Sequence, residues 1–139
     1  MTDPLTAGER PLILVVDDQI QLRALLQRML ERQGAEVVVA SDGVEAVEAI
    51  ERLGPRVALV LMDIQMPRMT GIEAARRIRA LSPDPRIVLM SAQVTGISET
   101  VREEIKLYAF LSKPFGRDTL MDMIPADCLA ADPQAVWMQ

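Results

Sequence analysis

The sequence predicts an α/β protein with a doubly wound parallel sheet, and two observations carry that prediction. Short aliphatic runs alternate with longer amphipathic segments five times along the chain, with short connections between them. The first run, Leu12 to Val16, is apolar at every position, as expected of a strand covered on both faces. Strands that alternate with helices pair in parallel through right-handed crossovers, which places helices on both sides of the sheet.

Five strands and five helices follow from this pattern. The predicted strands lie at residues 12–16, 37–40, 57–62, 86–90 and 109–112. The predicted helices, in which apolar side chains recur every three or four positions, lie at residues 19–33, 43–53, 70–81, 98–107 and about 116–124. The change in spacing between the two sets separates helix from strand.

The predicted helix ends rest on residues with known cap preferences. Gly34 follows the first helix as its expected C′ residue. Thr70 and Glu73 have the spacing of a capping box and open the third helix. The other marked ends carry a Gly-Pro pair, a serine N-cap and a proline, at Gly54-Pro55, Ser98 and Pro125.

Length and composition bound the organisation of the chain. With 139 residues we expect one domain at 11–125, a flexible N-terminus at 1–10 and a C-terminal tail at 126–139 that is too short for a second domain. A net charge of −5 argues against a sequence-independent grip on nucleic acid. The polar start and the lack of a bilayer-length apolar run predict a cytoplasmic protein without membrane insertion.

The chain contains no histidine, which removes a whole class of mechanisms. There can be no Ser-His or Cys-His nucleophile pair, no imidazole zinc site and no phosphohistidine on this chain. Any chemistry must use carboxylates, hydroxyls, cationic side chains, backbone groups or a metal held by oxygen. The cations are also uneven, with 13 arginines and only two lysines, Lys106 and Lys113.

Polar side chains follow four of the predicted strands, where the ligands of open parallel sheets bind. These strand-end residues are Asp17, Asp18, Asp63, Ser91 and Lys113. Three neighbouring carboxylates repel one another, so the cluster favours a hard divalent ion, of which Mg²⁺ is the expected one. One carboxylate then remains free to attack a phosphoryl group and form an acyl phosphate, while the metal and a lysine neutralise charge.

Each strand-end residue also has a simpler interpretation when it is taken alone. Asp18 has the position of an ordinary helix cap, and Asp17 and Asp63 that of loop or turn residues. Ser91 fits a loop hydroxyl, and Lys113 fits an exposed cation. The functional hypothesis is favoured because these simple interpretations would have to coincide at four strand ends.

These residues resemble the receiver domain of two-component response regulators over about residues 11–125. The segments that carry the resemblance are Asp17-Asp18, Leu61 to Pro67 with Thr70-Gly71, Val88 to Ala92, and Phe110 to Phe115. The resemblance, and not the pattern of strands and helices, implies a flavodoxin-like sheet with strand order 2-1-3-4-5. It also implies a signalling protein and not an enzyme, apart from its own phosphorylation and dephosphorylation.

The resemblance assigns a role to each site residue. Asp63 would be the phosphoacceptor, and Lys113 would contact the phosphoryl group. Magnesium would be held by Asp17, Asp18 and Asp63 and by the backbone carbonyl of Gln65. Ser91 would be a switch hydroxyl, and Phe110 an aromatic that swings inward. Gln65 and Gln93 would tune the phosphoryl lifetime. Independently of the resemblance, Pro114 is a candidate for a cis peptide that aims Lys113, because an X–Pro bond is the one peptide bond in which the cis form costs little.

The implied function is a stand-alone receiver that takes a phosphoryl group from a partner's phosphohistidine. That partner would be a sensor histidine kinase or a histidine phosphotransfer protein, and an unidentified protein target would lie downstream. Three alternatives remain: a phosphatase or mutase that works through an aspartyl phosphate, an interaction module with an inactive site, and a receiver cut from a larger hybrid kinase. The enzyme alternative is weakened because Gln65 stands where those enzymes place a second acid.

Two departures from the family pattern fall on the face that receivers use for dimers or targets. Lys106-Leu107 replaces the usual Gly-Ala pair, which predicts a longer or irregular end to the fourth helix. Pro125 cuts the fifth helix short. Both changes predict an altered output surface and leave the acidic site intact.

Overall fold

The computed structural model describes residues 11–93 and 96–129, so the expected flexible N-terminus and the tail beyond residue 129 lie outside the described residues. The strands are β1 (Leu12–Val16), β2 (Glu36–Ala40), β3 (Val57–Asp63), β4 (Arg86–Ser91) and β5 (Leu107–Ser112). The helices are α1 (Ile20–Arg32), α2 (Gly43–Leu53), α3 (Gly71–Leu81), α4 (Glu99–Ile105) and α5 (Arg117–Met123). Short 3₁₀ turns occupy Gly54–Arg56 and Ala126–Cys128.

The strands form one parallel sheet in the order β2-β1-β3-β4-β5, which confirms the predicted fold. The strand order reverses between β1 and β3, because the chain first moves outward to β2 and then returns to the other side of β1. Val16 pairs with Met62, so Asp17 and Asp63 follow at the same level of the sheet. Ligands of doubly wound sheets bind at this reversal point.

The sheet is covered by helices on both faces, and β1 shows how its sequence permits this. Leu12, Leu14 and Val16 point into the core shared with α2, α3 and α4, whereas Ile13 and Val15 point into the core shared with α1 and α5. Alternate residues of a strand face opposite sides, so an entirely apolar strand is required here. All five residues of β1 are buried.

The end of α4 corrects one sequence prediction. The helix ends at Ile105 rather than at residue 107, and β5 begins at Leu107 rather than at Ala109. Lys106 takes a left-handed conformation, with φ of 52°, and its N–H caps the helix by bonding to carbonyls in the last turn. Leu107 pairs with Ile87 in the sheet, so the prediction of a longer helix was wrong. The irregularity lies instead at Lys106 and in the shift of register that follows Leu107.

The other predicted boundaries lie within one residue of the observed ones. Gly34 follows α1 with φ of 93°, a conformation that glycine adopts without strain. From Ala126 to Leu129 the chain stays packed on the domain, since Cys128 is buried in the same cluster as Leu120 and Ile124. Within residues 11–93 and 96–129, no helix has the length and apolar character needed to cross a bilayer.

Candidate functional site

Three carboxylates meet at the reversal point of the sheet. Asp17 and Asp18 follow β1, Asp63 ends β3, and one carboxylate oxygen from each lies within 4.8 Å of the others. Asp17 is fully buried, Asp63 is buried and Asp18 is exposed. The parallel register brings these acids together although more than forty residues of sequence separate Asp18 from Asp63.

Lys113 joins the acids from the end of β5. Its ammonium lies 3.0 Å from Asp17 Oδ2 and 3.2 Å from Asp63 Oδ1. The main chain of Lys113 is fixed as well, because its N–H donates to the carbonyl of Ser91 at 2.8 Å, and the peptide to Pro114 is cis. A compact ammonium in this position contacts two carboxylates at once, as a point charge can.

Asp17 is held in place by a network of hydrogen bonds. Its N–H donates to the carbonyl of Ala40 at 3.2 Å, and its Oδ1 accepts the N–H of Gln19 at 2.9 Å. Its carbonyl accepts a hydrogen bond from the Arg23 guanidinium at 2.8 Å. Asp18 does not cap α1, because Gln19 occupies the N-cap and no side chain bonds there. The simple interpretation of Asp18 as a cap therefore does not apply.

Gly71 lets the start of α3 press against the main chain of Asp63. Its N–H donates to the carbonyl of Ile64 at 2.8 Å. A Cβ built at Gly71 would overlap the carbonyl oxygen of Asp63. Any side chain at this position would therefore displace the backbone that carries the carboxylate. This role was not predicted, although the Thr70-Gly71 pair at a helix start was the signal that could have revealed it.

The electrostatics of the cluster favour a further cation. Burial raises the pKa of Asp63 above its ordinary value of 3.8, and the charges of Asp17 and Asp18 raise it further, against the opposing effect of Lys113. Burial alone would lower the pKa of Lys113, but the hydrogen bond and the charge of Asp17, together with the charge of Asp63, outweigh burial and raise it. Lys113 therefore stays protonated, and the ionised form of Asp63 is less favoured than that of a carboxyl group in water.

The set of donor atoms fits a hard divalent ion. Three carboxylates and one ammonium leave a formal charge of −2 among these residues when all are ionised. Carboxylate and carbonyl oxygens are the ligands that Mg²⁺ takes, and one exposed acid beside two buried ones leaves the cluster open to solvent on one side. Asp17, Asp18 and Asp63 are the residues that could hold such an ion.

Ser91 lies at the end of β4 and is 2% exposed. Its hydroxyl donates to Gln65 Oε1 at 3.1 Å and accepts the N–H of Gln93 at 3.0 Å. Phe110, on β5, is half-buried and packs against the core on the α4 side of the sheet. Gln65 and Gln93 are both exposed to solvent.

A second ion pair links the loops beside the site. Arg68, in the loop between β3 and α3, donates to Asp42 Oδ2 through its Nε at 2.9 Å. Asp42 also caps α2 by accepting the N–H of Glu45 at 2.9 Å, and these bonds lower the pKa of Asp42. The bond from Arg68 to Asp42 spans 26 residues and has no local sequence signal.

An apolar groove opens next to Lys113, between α1 and the loop that leads to α5. Its volume is about 360 Å³. The residues around it are Leu22, Leu25, Leu26, Met29, Ala92, Lys113, Pro114 and Phe115. Two apolar residues of α1, Ile20 and Leu25, are exposed at 70% and 47%.

The matches to known proteins agree with this site. The family described as "Response regulator receiver domain" matches residues 13–125, most of the chain. The chain therefore belongs to the response regulator receiver domain family, as the sequence resemblance predicted. It is thus a signalling domain of two-component systems.

Individual relatives share parts of the chain. The chemotaxis protein CheY of Treponema pallidum is 39% identical over 77 residues, which cover 51% of this chain and 54% of that protein. The transcriptional regulatory protein PdtaR of Mycobacterium tuberculosis H37Rv is 37% identical over 134 residues, which cover 94% of this chain and 62% of PdtaR. The chain spans less than two thirds of either relative.

The fold is also similar to that of a solved response regulator in complex with ligands. The response regulator TrrA of Thermotoga maritima, crystallised with Mg²⁺ and a beryllium fluoride, is 32% identical with a TM-score of 0.72. The match covers 81% of this chain and 94% of TrrA.

Proposed function

We propose that this receiver accepts a phosphoryl group on Asp63 and that phosphorylation switches a protein-binding surface. The observation that carries the proposal is the position of the Lys113 ammonium between the carboxylates of Asp17 and Asp63 at the reversal point of the sheet. A carboxylate next to a fixed ammonium can act as a nucleophile toward phosphorus. The ammonium stabilises the negative charge that spreads onto the phosphoryl oxygens during the transfer.

The proposed reaction transfers a phosphoryl group from a histidine nitrogen to a carboxylate oxygen of Asp63. A carboxylate oxygen of Asp63 attacks the phosphorus of a phosphohistidine in line with the P–N bond. A P–O bond forms to Asp63 while the P–N bond breaks, and the imidazole leaves with the electron pair and takes up a proton. Lys113 contacts the transferred phosphoryl group, and the Ser91 hydroxyl then donates to one of its oxygens.

Magnesium fits this site, and the ligands proposed for it are the carboxylates of Asp17, Asp18 and Asp63 and the backbone carbonyl of Gln65. When bound, the ion supplies positive charge against the phosphoryl oxygens. The N–H of Gln19 bonds to the carboxylate of Asp17, and Arg23 bonds to its backbone carbonyl, so both parts of this residue are held in position for a cation. Gln65 carries an amide and cannot act as a general acid, which favours a phosphoacceptor over a phosphatase or mutase.

The phosphoryl donor is proposed to be a histidine on another protein, because this chain contains none. A sensor histidine kinase or a histidine phosphotransfer protein would supply it. The groove between α1 and the loop before α5 is the proposed contact surface, since Lys113 belongs to both the groove and the acidic site. Any protein that delivers a phosphoryl group to Asp63 must cover this edge of the sheet.

Intact-mass measurement with acetyl phosphate tests the proposal. The purified chain should gain the mass of one phosphoryl group when Mg²⁺ is present and should not gain it with a chelator. Asp63→Ala should abolish the gain, while Asp84→Asn, which removes an exposed carboxylate in the loop before β4, should leave it unchanged. An adduct that survives Asp63→Ala would overturn the assignment of the phosphoacceptor.

A further inference from the structure

The hydroxyl of Ser91 is already engaged in this structure. It donates to the side-chain carbonyl oxygen of Gln65 at 3.1 Å and accepts the backbone N–H of Gln93 at 3.0 Å. A serine hydroxyl carries one proton, so it can donate to only one partner at a time. A bond from Ser91 to a phosphoryl oxygen on Asp63 therefore requires the bond to Gln65 to break.

The main chain of Ser91 has little freedom to move. Ser91 is the last residue of β4 and pairs with Ser112 of β5, and its carbonyl accepts the N–H of Lys113 at 2.8 Å. The residue is also 2% exposed. The part that can change is the rotation of the hydroxyl about the Cα–Cβ bond, since serine, unlike threonine, has no branched methyl group to displace.

Gln65 differs from Ser91 in its freedom. It lies in the loop after β3 and is exposed, so its side chain can turn into solvent without uncovering core. Its contribution is then limited to a single neutral hydrogen bond in contact with water. Such bonds change an equilibrium by about 2- to 10-fold.

We propose that Gln65 is a positioning residue that holds the Ser91 hydroxyl away from the phosphoryl site in the unphosphorylated protein. The inference rests on the proposed function, because it names what opposes the switch at that same site. Part of the free energy of binding a phosphoryl group is then spent on breaking the hydrogen bond between Gln65 and Ser91, so that the Ser91 hydroxyl can rotate. Removing its acceptor favours the turned hydroxyl before any ligand binds, which is a shift of population between two existing states.

A double-mutant cycle with beryllofluoride, a phosphoryl mimic, tests this inference. The affinity for the mimic at saturating Mg²⁺ is measured by calorimetry for the wild type, Gln65→Met, Ser91→Ala and the double variant. Methionine keeps the length of glutamine and removes the acceptor. Gln65→Met should bind about 2- to 10-fold more tightly than the wild type. In the Ser91→Ala background the same change should have no effect, because there is no hydroxyl to release.

The outcomes separate this inference from the proposed function. Equal tightening by Gln65→Met in both backgrounds would show that Gln65 acts without Ser91 and would overturn the inference. No tightening with Ser91 present would overturn it too. In both cases the wild type still binds the mimic, whereas failure of the proposed function leaves the wild type unable to bind it. Gln27→Met, the same change on α1, should bind as the wild type does.

A second measurement uses the free protein. The N–H of Gln93 donates to the Ser91 hydroxyl, so its amide resonance reports the position of that oxygen. Gln65→Met should move this resonance in the same direction as beryllofluoride moves it in the wild type. A shift in the opposite direction, or none, would contradict the inference.

Discussion

Two partly buried cationic side chains, Lys113 and Arg79, lie at opposite ends of the sheet and have different kinds of hydrogen-bond partner. Lys113, at the carboxyl end of β5, contacts two carboxylates at 3.0 and 3.2 Å. Arg79, near the end of α3, donates to main-chain carbonyls instead. Its shorter bonds are 2.8, 2.9 and 3.0 Å long and reach the carbonyls of Ile105, Pro85 and Pro83 respectively.

The two sites differ in the net charge of the groups around each cation. Burial lowers the pKa of Arg79, whereas the carboxylates around Lys113 raise the pKa of the lysine. The carbonyls around Arg79 are neutral and belong to fixed parts of the chain, so they join the ends of α3 and α4 and attract no further cation. The three carboxylates of Asp17, Asp18 and Asp63 carry more negative charge, when ionised, than the single positive charge of Lys113 neutralises. One end of the sheet is therefore built for stability, and the other has charge available for a ligand.

The largest expected contrast is in the rate of phosphorylation. Lys113→Met should slow phosphorylation by acetyl phosphate about 100-fold or more, because a positive charge next to the transferred group is lost. Arg79→Met, which removes a cation of similar burial, should leave the rate unchanged. Time courses of intact mass measure both, with circular dichroism as the control for folding. Similar losses in the two variants would contradict the division between the two ends.

The reverse contrast is expected in stability. Arg79→Met leaves several carbonyls without their donor and should lower the free energy of unfolding by about 1–3 kcal/mol. Arg77→Met removes only an exposed pair with Glu73, one helical turn away, and should cost at most about 0.5 kcal/mol. Urea denaturation gives both values. Equal costs would show that the carbonyl bonds of Arg79 add nothing beyond an exposed pair.

Magnesium should stabilise the acidic end specifically. At a concentration ten times its dissociation constant, the ion should raise the free energy of unfolding by about 1.4 kcal/mol. Asp17→Asn should remove most of this gain, and Arg79→Met should keep it. Denaturation with and without Mg²⁺ measures the gain. A gain of the same size in Asp17→Asn would place the ion elsewhere.

The smallest expected effect is a pH dependence of stability without divalent ions. Because the pKa of Asp63 is raised in the folded state, the folded chain binds that proton more strongly than the unfolded chain does. This contribution is present below the unfolded pKa and is lost as the pH rises through the folded pKa. Asp63→Asn lacks the loss, so its advantage in thermal midpoint over the wild type should grow from about pH 4 to about pH 7. A constant or shrinking advantage would contradict the direction of the shift.

The sequence predicted those features that follow from topology. Asp17, Asp63 and Lys113 were predicted to meet because strand ends of a parallel sheet share one edge, whatever their separation along the chain. The early end of α4 could not be predicted, since it depends on sheet pairing by Leu107 and on bonds from Arg79 to carbonyls 26 and 27 residues away. Helical spacing alone continues through these residues, and only long-range contacts stop it.

The contact between Gln65 and Ser91 also could not be predicted from the sequence. The resemblance gave each residue a role of its own, and neither role required the two side chains to bond. Their hydrogen bond depends on the path of the loop after β3, which Gly71 fixes by its close approach to Asp63. Such side-chain pairings have no periodicity and leave no pattern in a single sequence.

The central claim is that Asp63 carries the phosphoryl group, and mapping the modified residue tests it most directly. Acyl phosphates are reduced by borohydride, which converts a phosphorylated aspartate to homoserine. After treatment with acetyl phosphate and Mg²⁺, peptide mass spectrometry should find homoserine at position 63, with Asp17 and Asp18 unchanged. Reduction at another carboxylate, or at none in a sample that has gained the phosphoryl mass, would contradict the account.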